Sequence, residues 1–256
     1  MRTFLTAIIL SSIAWFPAQA ADKPTAAQLT AFFEDVVFGS EYTKKGSGEV
    51  KKWTGPLRVS LSAMTGKLLD KPDGGKELKL AKAKPTKQQI DFVRKHLKTL
   101  IQASRVKSES AKKSGKKPNL FIKFVPRRAM HGPFLVKGAP PKLLKRLAAP
   151  GVCYFLTAAK SGQIVWGTIV VNNALPARDM EACLLEEMTQ VLGLPNDSDA
   201  IKPSIFNNRS QPTALNRTDQ LLLRTLYDKR LKAGMAKDQA MAVAGQIIQE
   251  LNRKMP

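Results

Sequence analysis

The residue types able to do chemistry gather in one short stretch, Glu186-Glu187-Met-Thr-Gln190-Val-Leu-Gly193-Leu-Pro-Asn196-Asp197. A helix places residues i and i+4 on one face, so Glu186 and Gln190 project together, with Glu187 beside them at the same rim. Gly193 permits the left-handed turn that ends the helix, and Asn196 and Asp197 can then swing back toward that face. The cluster offers carboxylate and amide oxygen. Glu186, Gln190, Asn196 and Asp197 would therefore suit calcium, magnesium or manganese, if any metal binds. They suit zinc poorly, because zinc prefers nitrogen and sulfur. Glu187 is the candidate general base toward water, with or without a metal.

Other chemistries are excluded by what is absent. Two cysteines rule out a four-cysteine zinc module, and two histidines, His96 and His131, rule out any site needing three imidazoles. His131 stands in an irregular segment and reads as an exposed loop residue, while His96 reads as a partly exposed helix residue. Neither is a site residue. There is no Ser-His-Asp elbow, Walker loop or Rossmann fingerprint. No cofactor is expected.

The elements that must position the cluster read as α+β. Ala26 to Phe38 has a helical apolar pattern, closed by Gly39-Ser40, and Leu57 to Leu61 alternates as a strand. Residues 66–85 are rich in Gly, Lys and Pro and predict a loop. Thr86 caps a helix from Lys87 to about Ser104. Asn119 to Val125 is a strand, and residues 126–150 predict an insertion with at most a short helix. Val152 to Ala158 and Gln163 to Asn172, joined by Ser161-Gly162, carry a hairpin signal. The site helix is expected from an Asp179 cap to about Leu192. Two further helices follow, from Asn216 or Thr218 through Arg230 and from about Ala236 to Arg253.

The chain has 256 residues and a formal net charge of +22. Arg2, the apolar run Phe4–Phe16 and Ala18-Gln19-Ala20 have the layout of a secretory signal with cleavage after Ala20. The mature chain is thus expected to be exported, with a periplasm fitting best. In an oxidising compartment Cys153 and Cys183 are expected to form a disulfide. Charge is segregated: residues 41–150 hold 28 Lys/Arg against 7 Asp/Glu, while residues 151–256 hold 12 against 10. The basic half, including Lys112-Lys113 and Lys116-Lys117, attracts polyanions. Outside the cytoplasm these are anionic envelope polymers or a lipid surface. Without interleaved aromatics the basic runs offer no stacking platform, so no nucleic-acid partner is expected.

The register of the site stretch resembles the metzincin metalloproteases, whose motif is H-E-x-x-H-x-x-G-x-x-H. Here it reads E-E-x-x-Q-x-x-G-x-x-N. Glu186, Gln190 and Asn196 (or Asp197) stand at the three histidine positions, Glu187 at the general base and Gly193 at the turn. Pro203-Ser204-Ile205-Phe206-Asn207 looks like a Met-turn with Phe206 in place of methionine. Trp53 through Leu61 resembles the opening strand of that fold, and Thr218-Asp219 through Leu226-Tyr227 the helix after the turn. The chain is also similar to an exported bacterial family, domain-of-unknown-function family 2927. Phe38-Gly39-Ser40-Glu41-Tyr42, Glu186-Glu187, Leu192 through Asp197, Ser204 through Asn207 and Leu226-Tyr227-Asp228 carry that likeness.

Together the resemblances imply a zincin-like mixed sheet with a site helix, a degenerate Met-turn and C-terminal helices. They predict one domain over 21–256, with a sheet-containing part with basic loops to 193 and a helical part from 194. Three functions follow. The favoured one is an envelope binding or scaffold protein with a degenerate cleft. The others are a metal-dependent peptidase or amidase with oxygen ligands, and a metal-free glycan-cleaving enzyme using paired carboxylates such as Glu187 and Asp197. Oligomeric state is not legible.

Overall fold

The computed structural model describes residues 23–40 and 46–255. The expected leader and the Glu41-Tyr42 pair lie outside these residues. Among them are seven α-helices and five strands. In chain order these are α1 (Ala26–Phe38), β1 (Val59–Asp70), β2 (Lys76–Ala83), α2 (Lys87–Ser104), α3 (Ala111–Ser114) and β3 (Leu120–Val125). Then come α4 (Pro141–Ala148), β4 (Cys153–Lys160), β5 (Gln163–Asn172), α5 (Ala177–Gln190), α6 (Arg217–Leu226) and α7 (Lys237–Lys254). No described helix is long and apolar enough to cross a membrane.

The sheet order is β2-β1-β3-β5-β4. The three inner strands run parallel, with Val59 opposite Leu120 and Leu120 opposite Gly167. Both edge strands run antiparallel to their neighbours. Side chains alternate across the pleat, so each face needs its own cover. Leu120, Ile122, Phe124, Ile169 and Val171 enter the larger core with α1, α5, α6 and α7. On the other face Val125, Tyr154 and Val170 meet Met130, Leu135, Leu144 and Leu147 from the 126–150 segment. That insertion is therefore a lid on the second sheet face. Tyr154 donates its hydroxyl to Met130 O at 2.6 Å, which satisfies the polar atom of that buried side chain.

Local sequence explains the helix starts. Thr25 and Gln28 form a reciprocal capping box for α1, and Thr86 with Gln89 repeats it for α2. Leu29, Phe32, Phe33 and Val36 then lie on one stripe of α1, all fully buried. Each such side chain contributes about 1.5–3 kcal/mol on leaving water.

Two expectations are corrected. Residues 66–85 are not a loop but most of the β1–β2 hairpin. Leu78 and Leu80 alternate on one face and pack toward the second core, which outweighs the Gly and Lys content. Asp73 accepts the Gly75 amide at 3.0 Å and so shapes the tip. Asp179 is not the cap of α5; Pro176 takes that place, and Asp179 sits in the first turn, where its charge favours the helix N-terminus.

Candidate functional site

Helix α5 follows β5 directly, and its position is fixed from three sides. The Cys153–Cys183 disulfide joins it to the first residue of β4. Glu181 O meets His96 Nε2 at 3.1 Å, so the imidazole donates from that nitrogen and clamps α2 to α5. His96 is thus a buried residue, only 1% exposed, and not the partly exposed one expected. Burial, with Lys95 next, holds its pKa down to about 4. At the far end, Trp53 Nε1 donates to Val191 O at 2.9 Å and Tyr227 OH to Leu192 O at 2.7 Å. These bonds satisfy carbonyls that a helix end leaves open. The structural task of Trp53 and Tyr227 is to close α5.

The turn after α5 depends on Gly193. Its φ is 113°, and a Cβ there would lie 2.1 Å from Lys51 O. Only glycine fits both constraints. The chain then returns as expected, and Gln190 Nε2 donates to Asp197 Oδ1 at 2.8 Å. Asn196 turns elsewhere. Its Nδ2 donates to Asp35 O at 3.1 Å and to Asp197 O at 2.8 Å, and its amide N donates to Val36 O at 3.2 Å. Ser198 Oγ adds a bond to Asp35 Oδ2 at 3.0 Å. The Leu-Pro-Asn-Asp segment thereby fastens the C-terminus of α1. Gly39 shares in this: a Cβ on it would lie 2.3 Å from Asn196 Nδ2, so a larger residue would expel the asparagine.

Of the two adjacent carboxylates, Glu186 is half-buried and Glu187 is only 6% exposed. Glu187 does not stand at a rim, because α5 is buried around most of its circumference from Ala182 to Gln190. Two hollows flank the pair that does meet. Gln190 lines one of about 270 Å³ with Lys51, Phe155, Thr157, Gly193 and Pro195. Asp197 and Asn196 line another of about 470 Å³ with Arg146, Pro150 and Cys153.

Among the described residues no three His, Cys, Asp or Glu side chains gather closely enough to hold a metal. The zinc that the metzincin resemblance implies does not fit the donors present. The equivalent positions supply only carboxylate and amide groups, and the amides of Gln190 and Asn196 donate to protein oxygens.

Phe206, at the Met-turn methionine position, is fully buried and meets Phe32 edge-on at 6.2 Å. Its turn is held by a residue that sequence reasoning gave no task, Asp219. One carboxylate oxygen accepts Ser204 Oγ at 2.7 Å and Ile205 N at 3.3 Å; the other accepts Asn216 N at 3.0 Å. Burial pushes the Asp219 pKa up to about 6 despite these bonds. The signal was the Asn216-x-x-Asp219 capping spacing. Lys52 was also missed. Its Nζ donates to Leu226 O at 2.8 Å and Leu231 O at 2.5 Å, capping the end of α6, and burial brings its pKa down to about 8. Nothing in Lys51-Lys52-Trp53 separates it from an ordinary surface lysine.

No curated protein and no solved structure matches this chain. A family model does, over residues 26–246, and its description is "Protein of unknown function (DUF2927)". That span includes Gly39, the α5 pair, the Asn196 clasp and the Asp219 lock, and the chain belongs to this family.

Proposed function

We propose that the chain is an exported, non-catalytic binding protein of the cell envelope, on a zincin-like scaffold whose metal-ligand positions have become structural. The observation that carries this reading is the bonding of those positions. Gln190 is joined to Asp197 at 2.8 Å, and Asn196 is joined to the end of α1. A ligand set for a cation must present oxygen lone pairs into an open site; here the Asp197 Oδ1 oxygen is turned to Gln190 Nε2, and the Asn196 side chain is turned away to the end of α1. The scaffold reading draws support from the order of parts: strand, α5, the Gly193 turn, the Phe206 turn, then α6. The expected partner is anionic, a polymer or lipid surface of the envelope, because the basic half of the chain is so little neutralised.

Metal analysis and turnover on natively purified protein test this reading. The expected result is less than about 0.2 zinc per chain and no cleavage of a peptide library or of peptidoglycan. Glu187→Gln should then melt at the same temperature as wild type or slightly higher, since one of two adjacent carboxylates is neutralised. Near-stoichiometric zinc resisting mild chelation, or a wild-type product absent in Glu187→Gln at equal Tm, would reassign the chain as a hydrolase.

A further inference from the structure

On another part of the molecule two hollows of about 570 and 510 Å³ share Ser104, Arg105, Tyr227 and Lys229, and so run together as one groove. It forms where the C-terminus of α2, the C-terminus of α6 and the loop after α6 meet the Trp53–Pro56 loop. Arg105, Lys107, Arg224, Lys229 and Lys232 line it, and all five are exposed. The lone carboxylate in the lining is Asp228, which already accepts Arg230 at 3.0 Å through each of its oxygens. Among the described residues none of the five cations has an acidic partner.

The backbone adds an independent observation. Arg105 ends α2 in the left-handed conformation, φ 61° and ψ 16°. That position favours glycine, and a long side chain there costs stability. A strained residue is a pointer to function where the surroundings give it a task. Here the strain aims no side chain into a core and makes no ion pair; what it adds is a guanidinium on the groove wall.

We propose that this groove binds a single strand of a linear polyanion bearing phosphate or carboxylate groups. The cations line a trough, which fits an extended chain better than a flat bilayer. The two aromatic residues in the lining are poor platforms for bases: Trp53 is 3% exposed, and the Lys52 ammonium stands over the Tyr227 ring, 5.4 Å from its centroid. This proposal rests on the envelope-binding reading above and assigns its anionic partner a place.

The test uses the full chain with inorganic polyphosphate as the phosphate probe and polygalacturonate as the carboxylate probe, by calorimetry. Vesicles of phosphatidylglycerol and phosphatidylcholine in equal parts form the third arm. At least one polymer should bind, more weakly as salt rises, because exposed charges are screened over about 8 Å at physiological ionic strength. The tighter polymer names the source of the charge. Reversal at Arg105, Arg224 and Lys229 together should weaken binding at least ~10-fold at unchanged Tm. Reversal of Lys67, Lys71, Lys76 and Lys79, on the β1–β2 hairpin, should weaken it less than ~3-fold. Arg105→Gly should lose affinity yet raise Tm by roughly 2–4 °C, because the left-handed strain is relieved. A Tm gain with undiminished binding would overturn the role of Arg105. If the hairpin reversal costs as much as the groove reversal, the groove falls and the envelope-binding reading survives. Capture by vesicles alone also overturns the groove and makes a membrane the partner. Binding to none of the three removes both.

Discussion

The α5 cleft and the cationic groove answer the question of function in opposite ways. In the cleft the side chains look reactive by type and spacing, yet each observed amide is bonded to a neighbour in the same scaffold: Gln190 to Asp197, Asn196 to α1. In the groove no motif stands out, yet five cations face solvent without an acidic partner among the described residues. Residue type is thus a poor guide by itself. What separates a site from a clasp is whether the polar groups are satisfied before a ligand arrives.

The largest expected effect is at the lock beneath the cleft. Asp219→Ala removes the acceptor for Ser204 Oγ, Ile205 N and Asn216 N inside a fully buried site. Three orphaned donors should cost about 4 kcal/mol in urea unfolding. Arg224→Ala in the groove should cost less than about 0.5 kcal/mol, as exposed substitutions do. A loss under about 1 kcal/mol for Asp219→Ala would break the contrast between a bonded cleft region and an unbonded groove.

Next comes the disulfide. Cys153 and Cys183 lie 30 residues apart in sequence, and their bond should contribute roughly 3–4 kcal/mol in the chain-entropy account. Cys153→Ser with Cys183→Ser should lower stability by that amount while leaving polyanion binding within about twofold, since neither cysteine lines the groove. An equal loss of binding would tie the two regions together mechanically.

How far the sequence reached can be judged from these same residues. The helix α5, the Gly193 turn and the return of Asp197 to Gln190 were legible, because helical spacing and a turn glycine are local facts. The β1–β2 hairpin was hidden, because its leucines alternate only against a core formed by residues 126–150, which composition marked as an insertion. His96 and Lys52 were hidden for the same reason. Each satisfies backbone carbonyls more than eighty positions away, and nothing in the flanking residues records that. The groove joins residues near 55, 105, 224 and 232, so no window along the chain contains it.

A double-mutant cycle sharpens the comparison at smaller scale. Gln190→Ala and Asp197→Ala should couple by about 1.5–3 kcal/mol, the range for a hydrogen bond to a charged group. Arg105→Ala and Arg224→Ala should show near-zero or slightly favourable non-additivity, because removing one cation relieves the other. Coupling below about 0.3 kcal/mol at Gln190 and Asp197 would mean that the clasp is not what holds them, and would reopen the cleft as a ligand site.

The smallest effect is a cancellation, and it has a definite sign. His96 has a folded pKa of about 4 against an ordinary 6.5, so between these values the unfolded chain binds more protons and stability rises with pH. Asp219 has a folded pKa of about 6 against an ordinary 3.8, so across nearly the same window the folded chain binds more protons and stability falls with pH. The two slopes oppose, and from pH 4.5 to 6 the net change should stay under about 1 kcal/mol. Asp228 and Glu250, both held down by Arg230, add a rise of stability with pH that is centred at or below the lower edge of that window and fades above it. Removing one group unmasks the other. Asp219→Asn should leave stability rising with pH through the window, carried by His96. His96→Gln should leave it falling, carried by Asp219, with the Glu181 carbonyl still offered an N–H donor. Urea unfolding at four pH values on the three proteins reads both slopes. If Asp219→Asn stays flat, the His96 imidazole is not held buried and neutral between α2 and α5, and the cleft is less firmly built than its bonds imply.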